Sequence, residues 1–352
     1  MDYFFAYVIC LFLLAFLGAF LICKFKNKYW AFWTVIISYG AISFFAPYFI
    51  LGRGFIVATA WCYAIFGGGF ILSLACAICS FPKFKVTSIF FATIAFALPV
   101  VAIDAFLVEP YSITVRHERL ESPKLKRAIK LLVLADIQTD VIGSYEKKVL
   151  DQAMQEKPDL IILCGDYIQT EPSRDPALCA KLRKLFKEEN LSAPLGVYVI
   201  QGDMEWEPNW QEIFTGLPYE LFTQTRTIET DDYCFTGLTL YDSRNILNLP
   251  DKDKFHIVAG HAPDFSIMKP NADLFLAGHT HGGQVQLPFL GPIITGSILP
   301  RSQAGGCFTK IQTKPDKFLM ISRGIGMERL DAPRMRFMCL PEIVVIDLKP
   351  SN

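Results

Sequence analysis

The chain has 352 residues, with 34 Lys and Arg against 34 Asp and Glu, so its formal net charge is zero. That balance excludes the basic surface of a nucleic-acid binder, and no nucleic-acid partner is expected. Apolar residues make up 52% of the chain, and they are unevenly spread. Residues before about 110 are nearly all apolar or aromatic, whereas the rest have the composition of an ordinary soluble domain large enough for a full core. Two domains are expected, a membrane domain over 1–110 and a second over 111–352. The 10 Cys show neither a disulfide framework nor a Cys-x-x-Cys zinc pattern. Cys10, Cys23, Cys62, Cys76 and Cys79 read as small packing residues in apolar stretches.

The first elements are four apolar runs, Phe4–Cys23, Trp30–Leu51, Phe55–Phe81 and Val86–Leu107. Each is near the ~20 residues that a membrane-spanning helix needs. The first has only Asp2 before it and continues into Lys24-Phe25-Lys26 without a small-residue cleavage site. It therefore reads as a retained helix and not a signal peptide. Lys24, Lys26 and Lys28 lie in the first loop and Lys83 and Lys85 in the third, while the middle turn has only Arg53. Short basic loops stay in the cytoplasm. An integral protein of the inner or cell membrane is expected, its large C-terminal domain extracytoplasmic. The basic residues after the fourth run (Arg116, Arg119, Lys124, Lys126 and Arg127) pull the other way, but large domains cross largely regardless of charge. Gly67-Gly68-Gly69 allows close helix packing or a local break.

From about Ser112 short strands alternate with helices. Leu131–Ala135, Leu160–Cys164, Val197–Ile200, Phe255–Ala259 and Ala272–Ala277 are apolar strands. Tyr145–Gln155, with Ser144 as N-cap, and Pro176–Glu189 have helical spacing. Alternation of this kind implies parallel pairing under helices. Phe318–Ser322 and Ile343–Leu348 are late strands that suggest a second sheet packed on the first.

Each apolar strand leads to a polar patch. In order these are Asp136-Ile137-Gln138, Gly165-Asp166, Gly202-Asp203-Met204-Glu205, Gly260-His261 and Gly278-His279-Thr280-His281-Gly282-Gly283-Gln284. Open α/β sheets build sites at the carboxyl ends of strands. Taken singly, an Asp at a strand end is ordinarily a turn residue, and a His is ordinarily a satisfied surface or core group. Together the patches collect carboxylates, an amide and imidazoles, donors that suit Mn, Zn or Fe(II). Two divalent ions about 3.5–4 Å apart would split a phosphate ester with a metal-activated water.

The block Gly278-His279-Thr280-His281-Gly282-Gly283-Gln284, followed by Leu287-Pro288-Phe289, is the most specific of these stretches. With Ser322-Arg323-Gly324-Ile325-Gly326, Arg336-Phe337 and Pro341-Glu342-Ile343, it resembles the calcineurin-like metallophosphoesterases, in particular their bacterial membrane-attached branch. The resemblance runs from about 130 to the end. It implies an α/β architecture in which four transmembrane helices precede a two-sheet β sandwich flanked by helices. It also implies two divalent metal ions (Mn, Zn or Fe). Asp136 should bind the first ion, with Gln138 where the family usually has His. Asp166 should bridge the ions. Asp203 takes the place of the usual Asn on the second ion, which His261 and His279 complete, and His281 returns to the first. Asp166, Asp203 and His279 would carry catalysis. Arg323 and Arg336 either hold the substrate phosphate bidentately or form structural ion pairs.

Met204 departs from the resemblance most seriously, because a His that contacts the phosphate or leaving group is usual there. Met has no proton to donate. Glu205 either orients a metal-bound water or is a surface acid, and the surface reading is preferred. The expected function is hydrolysis of a phosphodiester or pyrophosphate, lipid-linked substrates included, beside the bilayer. The alternative is a weak or inactive member that binds metal or a partner. The apolar, Gly/Pro-rich loop from Leu287 to Pro300 borders an acyl site, touches a membrane or simply packs.

Overall fold

A computed structural model describes every residue except 1, 27, 53, 172–174, 246 and 352. Arg53, the cation of the middle turn, thus lies outside the described residues. The chain divides into two compact units, Met1–Leu107 with Asp331–Arg334, and Val108–Leu330 with Met335–Asn352.

The first unit is helical. Four helices, Tyr3–Lys24, Tyr29–Ile50, Phe55–Ser80 and Lys85–Tyr111, are long and apolar enough to cross a membrane. In detail they are α1 (Asp2–Lys24), α2 (Tyr29–Ile50), α3 (Phe55–Cys62), α4 (Phe70–Ser80) and α5 (Lys85–Ile103). A wider π turn at Tyr63–Gly69 joins α3 to α4. It contains the three consecutive glycines. A Cβ on Gly67 would stand 2.6 Å from the Phe12 ring, and one on Gly68 would stand 1.7 Å from the Tyr39 hydroxyl. The glycines therefore serve both expected purposes, a local irregularity and close approach to α1 and α2. Cys23 at the end of α1 and Cys79 near the end of α4 form a disulfide, with Cα atoms 5.5 Å apart. The expectation of two unbridged packing residues is corrected here. The two cysteines lie 56 positions apart, and only the return of the chain through α2 sets the ends of α1 and α4 side by side.

The second unit is built on strands. In chain order they are β1 (Thr114–Ser122), β2 (Ile129–Leu134), β3 (Leu160–Leu163), β4 (Val197–Ile200), β5 (Glu220–Phe222), β6 (Arg226–Glu229), β7 (Tyr233–Gly237), β8 (Phe255–Ala259), β9 (Leu274–Ala277), β10 (Gln286–Leu287), β11 (Gly291–Pro292), β12 (Cys307–Thr313), β13 (Asp316–Ile321) and β14 (Glu342–Pro350). One six-stranded sheet has the order β1-β14-β2-β3-β4-β5, and the other the order β12-β13-β9-β8-β7-β6. Within them β2 to β5 are parallel neighbours, as are β7, β8, β9 and β13.

The sheets face each other across one apolar layer. Val133, Ile162 and Ile200 from the first pack with Phe235, Ile257 and Leu276 from the second. On the outer face of the first sheet lie α6 (Ser144–Gln155) and α7 (Pro176–Glu188), which bury Val149, Leu150, Leu182 and Phe186 against Leu132, Ile161 and Val199. The result is an α/β sandwich of two mixed sheets.

The late strands do not form the second sheet together, as their position in the chain suggested. β13 joins the second sheet, whereas β14 inserts between β1 and β2 of the first. Its two faces explain this placement. Ile343 and Val345 pack under the helices, while Val344, Ile346 and Leu348 pack between the sheets. A strand with two apolar faces is a central strand.

Candidate metal centre

Five strand ends meet at one edge of the sandwich. β2 leads into Asp136, β3 into Gly165 and Asp166, and β4 into Asp203. From the opposite sheet, β8 leads into His261, and β9 into His279 and His281. Carboxylates thus come from one sheet and imidazoles from the other. Gly165 and Gly202 permit this convergence. A Cβ on Gly165, which has φ +87°, would stand 2.6 Å from the Gly202 Cα and 2.7 Å from His261 Nδ1. A Cβ on Gly202 would stand 2.2 Å from the Asp166 nitrogen. Non-glycine residues also carry left-handed backbone here: Asp136 (φ 51°), Gln138 (φ 37°), Asp166 (φ 56°), His279 (φ 68°) and His281 (φ 48°). Such conformations cost of order 1–3 kcal/mol each and concentrate at functional sites.

Two donor groups result, Asp136 with Asp166 and His281, and Asp203 with His261 and His279. In each, one ligand atom per residue lies within 4.8 Å of the others. The groups adjoin, because His261 Nε2 is 3.3 Å from Asp166 Oδ2 and 3.7 Å from Asp203 Oδ2. Asp136, Asp166, His261 and His281 are buried, whereas Asp203 and His279 are partly exposed at the mouth.

Backbone carbonyls hold the imidazoles in place. His261 Nδ1 lies 2.8 Å from the Cys164 carbonyl, which places a hydrogen on Nδ1 and turns Nε2 toward the carboxylates. His279 Nε2 lies 3.1 Å from the Gly296 carbonyl, and its Nδ1 faces Asp203 Oδ2 at 2.8 Å. An amide oxygen and two imidazoles are left with nitrogen or oxygen atoms that no protein group meets in a hydrogen bond. Gln138 Oε1, His261 Nε2 and both nitrogens of His281 are buried without a hydrogen-bond partner. Gln138 donates from Nε2 to Gln169 Oε1 at 3.0 Å, so its oxygen is the free end. Buried polar atoms in native proteins are almost always paired. A cluster of unpaired acceptors is a cluster of cation ligands, and the residues present fit divalent ions.

The electrostatics agree. Burial pushes Asp136 up to about 7, with Asp166 adding to the rise and His261 opposing it. Burial alone would push His261 down, but Asp166 and Asp203 outweigh it and hold the imidazole well above its ordinary range. A proton on His261 thus supplies positive charge that the carboxylates would otherwise take from a cation. Burial would likewise raise Asp203, yet bonds to His261 and His279 hold it well below the usual carboxylate range. Burial and the Arg336 charge push His281 down, which leaves the neutral imidazole that a metal needs.

Of the two readings of Arg323 and Arg336 the structural one fits, and the surface reading of Glu205 is corrected. Arg336 is fully buried, and its nitrogens donate to the carbonyls of Arg323, Gly324, Gly326 and Cys339, so it cannot meet a substrate. Arg323 gives Nε and Nη2 to Glu342 Oε2 at 2.8 and 2.7 Å, a structural ion pair. Glu205 is buried, not a surface acid. Its carboxylate accepts from the Tyr167, Asp166 and Gly202 nitrogens at 2.8, 2.9 and 3.0 Å. Met204 gives its backbone N–H to Asp166 Oδ1 at 2.8 Å. Its side chain lines a small cavity with Ile168, Cys179, Trp210 and Ile213.

Two further residues escaped the sequence reading. Arg244 follows the four-residue helix α8 (Leu240–Ser243), and its Nη2 lies 2.5 Å from Asp203 Oδ2. Glu328 receives Gln169 Nε2 at 3.1 Å, and burial raises its pKa, with Asp166 adding to the rise. Neither sits in a strand-end motif. Arg244 follows β7, whose polar and aromatic sequence gave no strand signal.

The chain is similar to known proteins. Residues 129–283 match the calcineurin-like phosphoesterase family. An uncharacterized metallophosphoesterase of Bacillus subtilis, YkuE, is 28% identical over 273 residues, which span 70% of this chain and 88% of that protein. An uncharacterized metallophosphoesterase of Aquifex aeolicus is 24% identical over 264 residues, 69% of this chain and 94% of its own length. Phosphodiesterase YaeI of Escherichia coli is 25% identical over 248 residues, 62% of this chain and 82% of its own. The matched segment contains every strand end that carries the site's carboxylates and imidazoles, and residues 129–283 form a domain of the calcineurin-like metallophosphoesterase superfamily.

Proposed function

We propose that the chain is a membrane-anchored phosphoesterase that uses two divalent cations to hydrolyse a phosphodiester or pyrophosphate. The observation that carries this reading is the pair of adjoining donor groups, Asp136, Asp166 and His281 beside Asp203, His261 and His279. Gln138 Oε1 adds a neutral oxygen to the first group. Asp166, whose Oδ2 faces His261 and whose Oδ1 takes the Met204 amide, would be the carboxylate shared by both ions. When bound, such ions lower the pKa of a water and neutralise phosphate charge. The protein's part is to orient. The Cys164 and Gly296 carbonyls fix two imidazoles, and the buried strand ends hold the carboxylates. Met204 has no proton for a leaving group. Substrates whose leaving group departs unprotonated are favoured, which includes phosphoanhydrides and aryl diesters. The diester class also agrees with the name of the E. coli relative.

Two features support a lipid-linked substrate. Four helices are apolar enough to anchor the chain in a bilayer. In addition, Phe289, Leu290, Ile293, Ile294 and Ile298 are exposed on the segment whose Gly296 carbonyl holds His279. Leu299 of this loop packs in the core, but these five side chains do not. An exposed apolar rim beside the metal donors suits an acyl or prenyl chain.

Detergent-purified protein loaded with manganese should hydrolyse bis(p-nitrophenyl) phosphate. Chelation should abolish turnover, and added Mn, Zn or Fe(II) should restore it. Bound ions with no turnover of aryl, nucleotide or lipid phosphoesters would favour the metal- or partner-binding role instead.

The catalytic unit is placed outside the cytoplasm, because the loops with Lys24, Lys26, Lys28, Lys83 and Lys85 are the short basic ones. This orientation puts Cys23 and Cys79 on the reducing side, where disulfides are rare. The pair should therefore be two thiols in living cells and bond only after lysis. Maleimide mass-tagging of acid-quenched cells, with Cys79→Ser as control, measures this. A pair already bridged in cells would reverse the orientation.

A further inference from the structure

We propose that Arg244 grips a non-bridging oxygen of the scissile phosphate, and so supplies the phosphate contact that Met204 cannot make. This rests on the phosphoesterase reading above. Arg244 stands at the mouth of the donor cluster. Its Nη2 is 2.5 Å from Asp203 Oδ2 and 3.3 Å from His279 Nε2, and these two residues are the exposed members of the cluster. The Arg244 side chain is 38% exposed against 21% for Asp203, so the guanidinium is the outer partner. Among the described residues its side-chain hydrogen bonds all run through Nη2, which leaves Nε and Nη1 without a protein partner.

The other arginines around the site are already occupied. Arg336 is sealed on backbone carbonyls, Arg323 is paired with Glu342, and Arg329 donates to the Gln138 carbonyl and lies 3.5 Å from Asp140. Arg244 is thus the guanidinium at this mouth with donors to spare. Its chemistry suits the task. Guanidinium stays charged at every relevant pH and presents parallel N–H groups that match two phosphate oxygens or one oxygen and a carboxylate. With Nη2 on Asp203, the remaining edge can reach a phosphate held over the same carboxylate. The cluster's own side chains otherwise present Asp136, Asp166 and Asp203 to an anionic substrate. A fixed positive charge at the entrance offsets that field. Arg244 cannot give up a proton, so it replaces a phosphate contact and not an acid. Substrates with poor leaving groups remain slow.

The test compares wild type, Arg244→Ala and Arg244→Lys as full-length protein in detergent. Three quantities are read: manganese content, the affinity for inorganic phosphate of the manganese-loaded protein by calorimetry, and kcat/KM with bis(p-nitrophenyl) phosphate. Arg244→Ala should keep its manganese and lose about 10²-fold in both phosphate affinity and kcat/KM, as expected for charge-assisted hydrogen bonds to an anion. Arg244→Lys should recover part of both losses, and free guanidinium should rescue the alanine variant but not the wild type. Unchanged phosphate affinity in Arg244→Ala at full manganese content would overturn the proposal. So would loss of manganese, which would make Arg244 a positioning residue for Asp203. A wild type that binds manganese and phosphate without turnover would instead overturn the hydrolase reading, and the phosphate comparison would then judge Arg244 by itself.

Discussion

Asp136→Asn should cut diester hydrolysis by about 10³-fold, the effect of losing some 4 kcal/mol of transition-state stabilisation, while making the metal-free protein more stable at alkaline pH. The two effects have one cause. Asp136 is fully buried, and its carboxylate accepts the His279 amide at 2.9 and 3.2 Å. Asn keeps one of those acceptors and tolerates the left-handed backbone at φ 51° better than Asp does. What it removes is a negative charge that burial and Asp166 make costly without a cation. The folded pKa of Asp136, about 7, lies above its ordinary value of 3.8. Its contribution to stability is therefore complete below about pH 4 and is lost as the pH rises through 7. Asn does not titrate, so the variant escapes that loss. Thermal unfolding of chelated proteins at pH 5 and pH 8 should show the gap between variant and wild type widening in the variant's favour at pH 8. With ions present the order should reverse, because the ionised carboxylate is then a ligand. An equal pH response in both chelated proteins would show that Asp136 carries no such penalty.

Composition and periodicity disclosed the parts of this protein whose signals are local. A spanning helix is written in consecutive residues, so the four apolar runs correspond within a few positions to α1, α2, the α3–α4 pair and α5. The strand ends were legible for the same reason. A short apolar run that stops at Gly-Asp or Gly-His marks where a buried strand reaches the sheet edge, as at Leu160–Leu163 before Asp166 and Leu274–Ala277 before His279. Elements with mixed faces were not legible. β1 reads Thr-Val-Arg-His-Glu-Arg-Leu-Glu-Ser and is held by its parallel partner β14, a contact across more than two hundred residues that no window can show. β6 and β7 are short and rich in Thr, Arg, Tyr and Cys, and missing them hid the loop that carries Arg244. The misread side chains follow the same logic. In sequence Arg336 reads as a phosphate grip or an ion-pair partner, and Glu205 as a surface acid. Only the folded backbone reveals the four carbonyls around the one and the three amides around the other.

Glu205→Gln should lower metal affinity and turnover by about 10- to 100-fold, the usual cost of removing a group that orients metal ligands from behind. The Glu205 carboxylate makes no hydrogen bond to a ligand side chain of either donor group. Its Oε2 instead joins the Asp166 and Gly202 nitrogens, which belong to the turns that present Asp166 and Asp203, and its Oε1 takes the Tyr167 nitrogen. Three N–H groups thus converge on both oxygens. Gln must replace one oxygen by an NH2 group, which sets donor against donor in either orientation. The milder orientation leaves the Tyr167 amide buried and unpaired, at about 1–3 kcal/mol. The two turns then lose their common anchor. Burial, followed by repulsion from Asp166, pushes Glu205 up to about 8 in the metal-free chain. Cations held by Asp166 would cancel that repulsion and favour the carboxylate. The substitution should therefore harm the metal-loaded protein more than the chelated one, and the gain in melting temperature on adding manganese should shrink in the variant. A Glu205→Gln protein with wild-type manganese affinity and turnover would show that the turns hold Asp166 and Asp203 without this carboxylate.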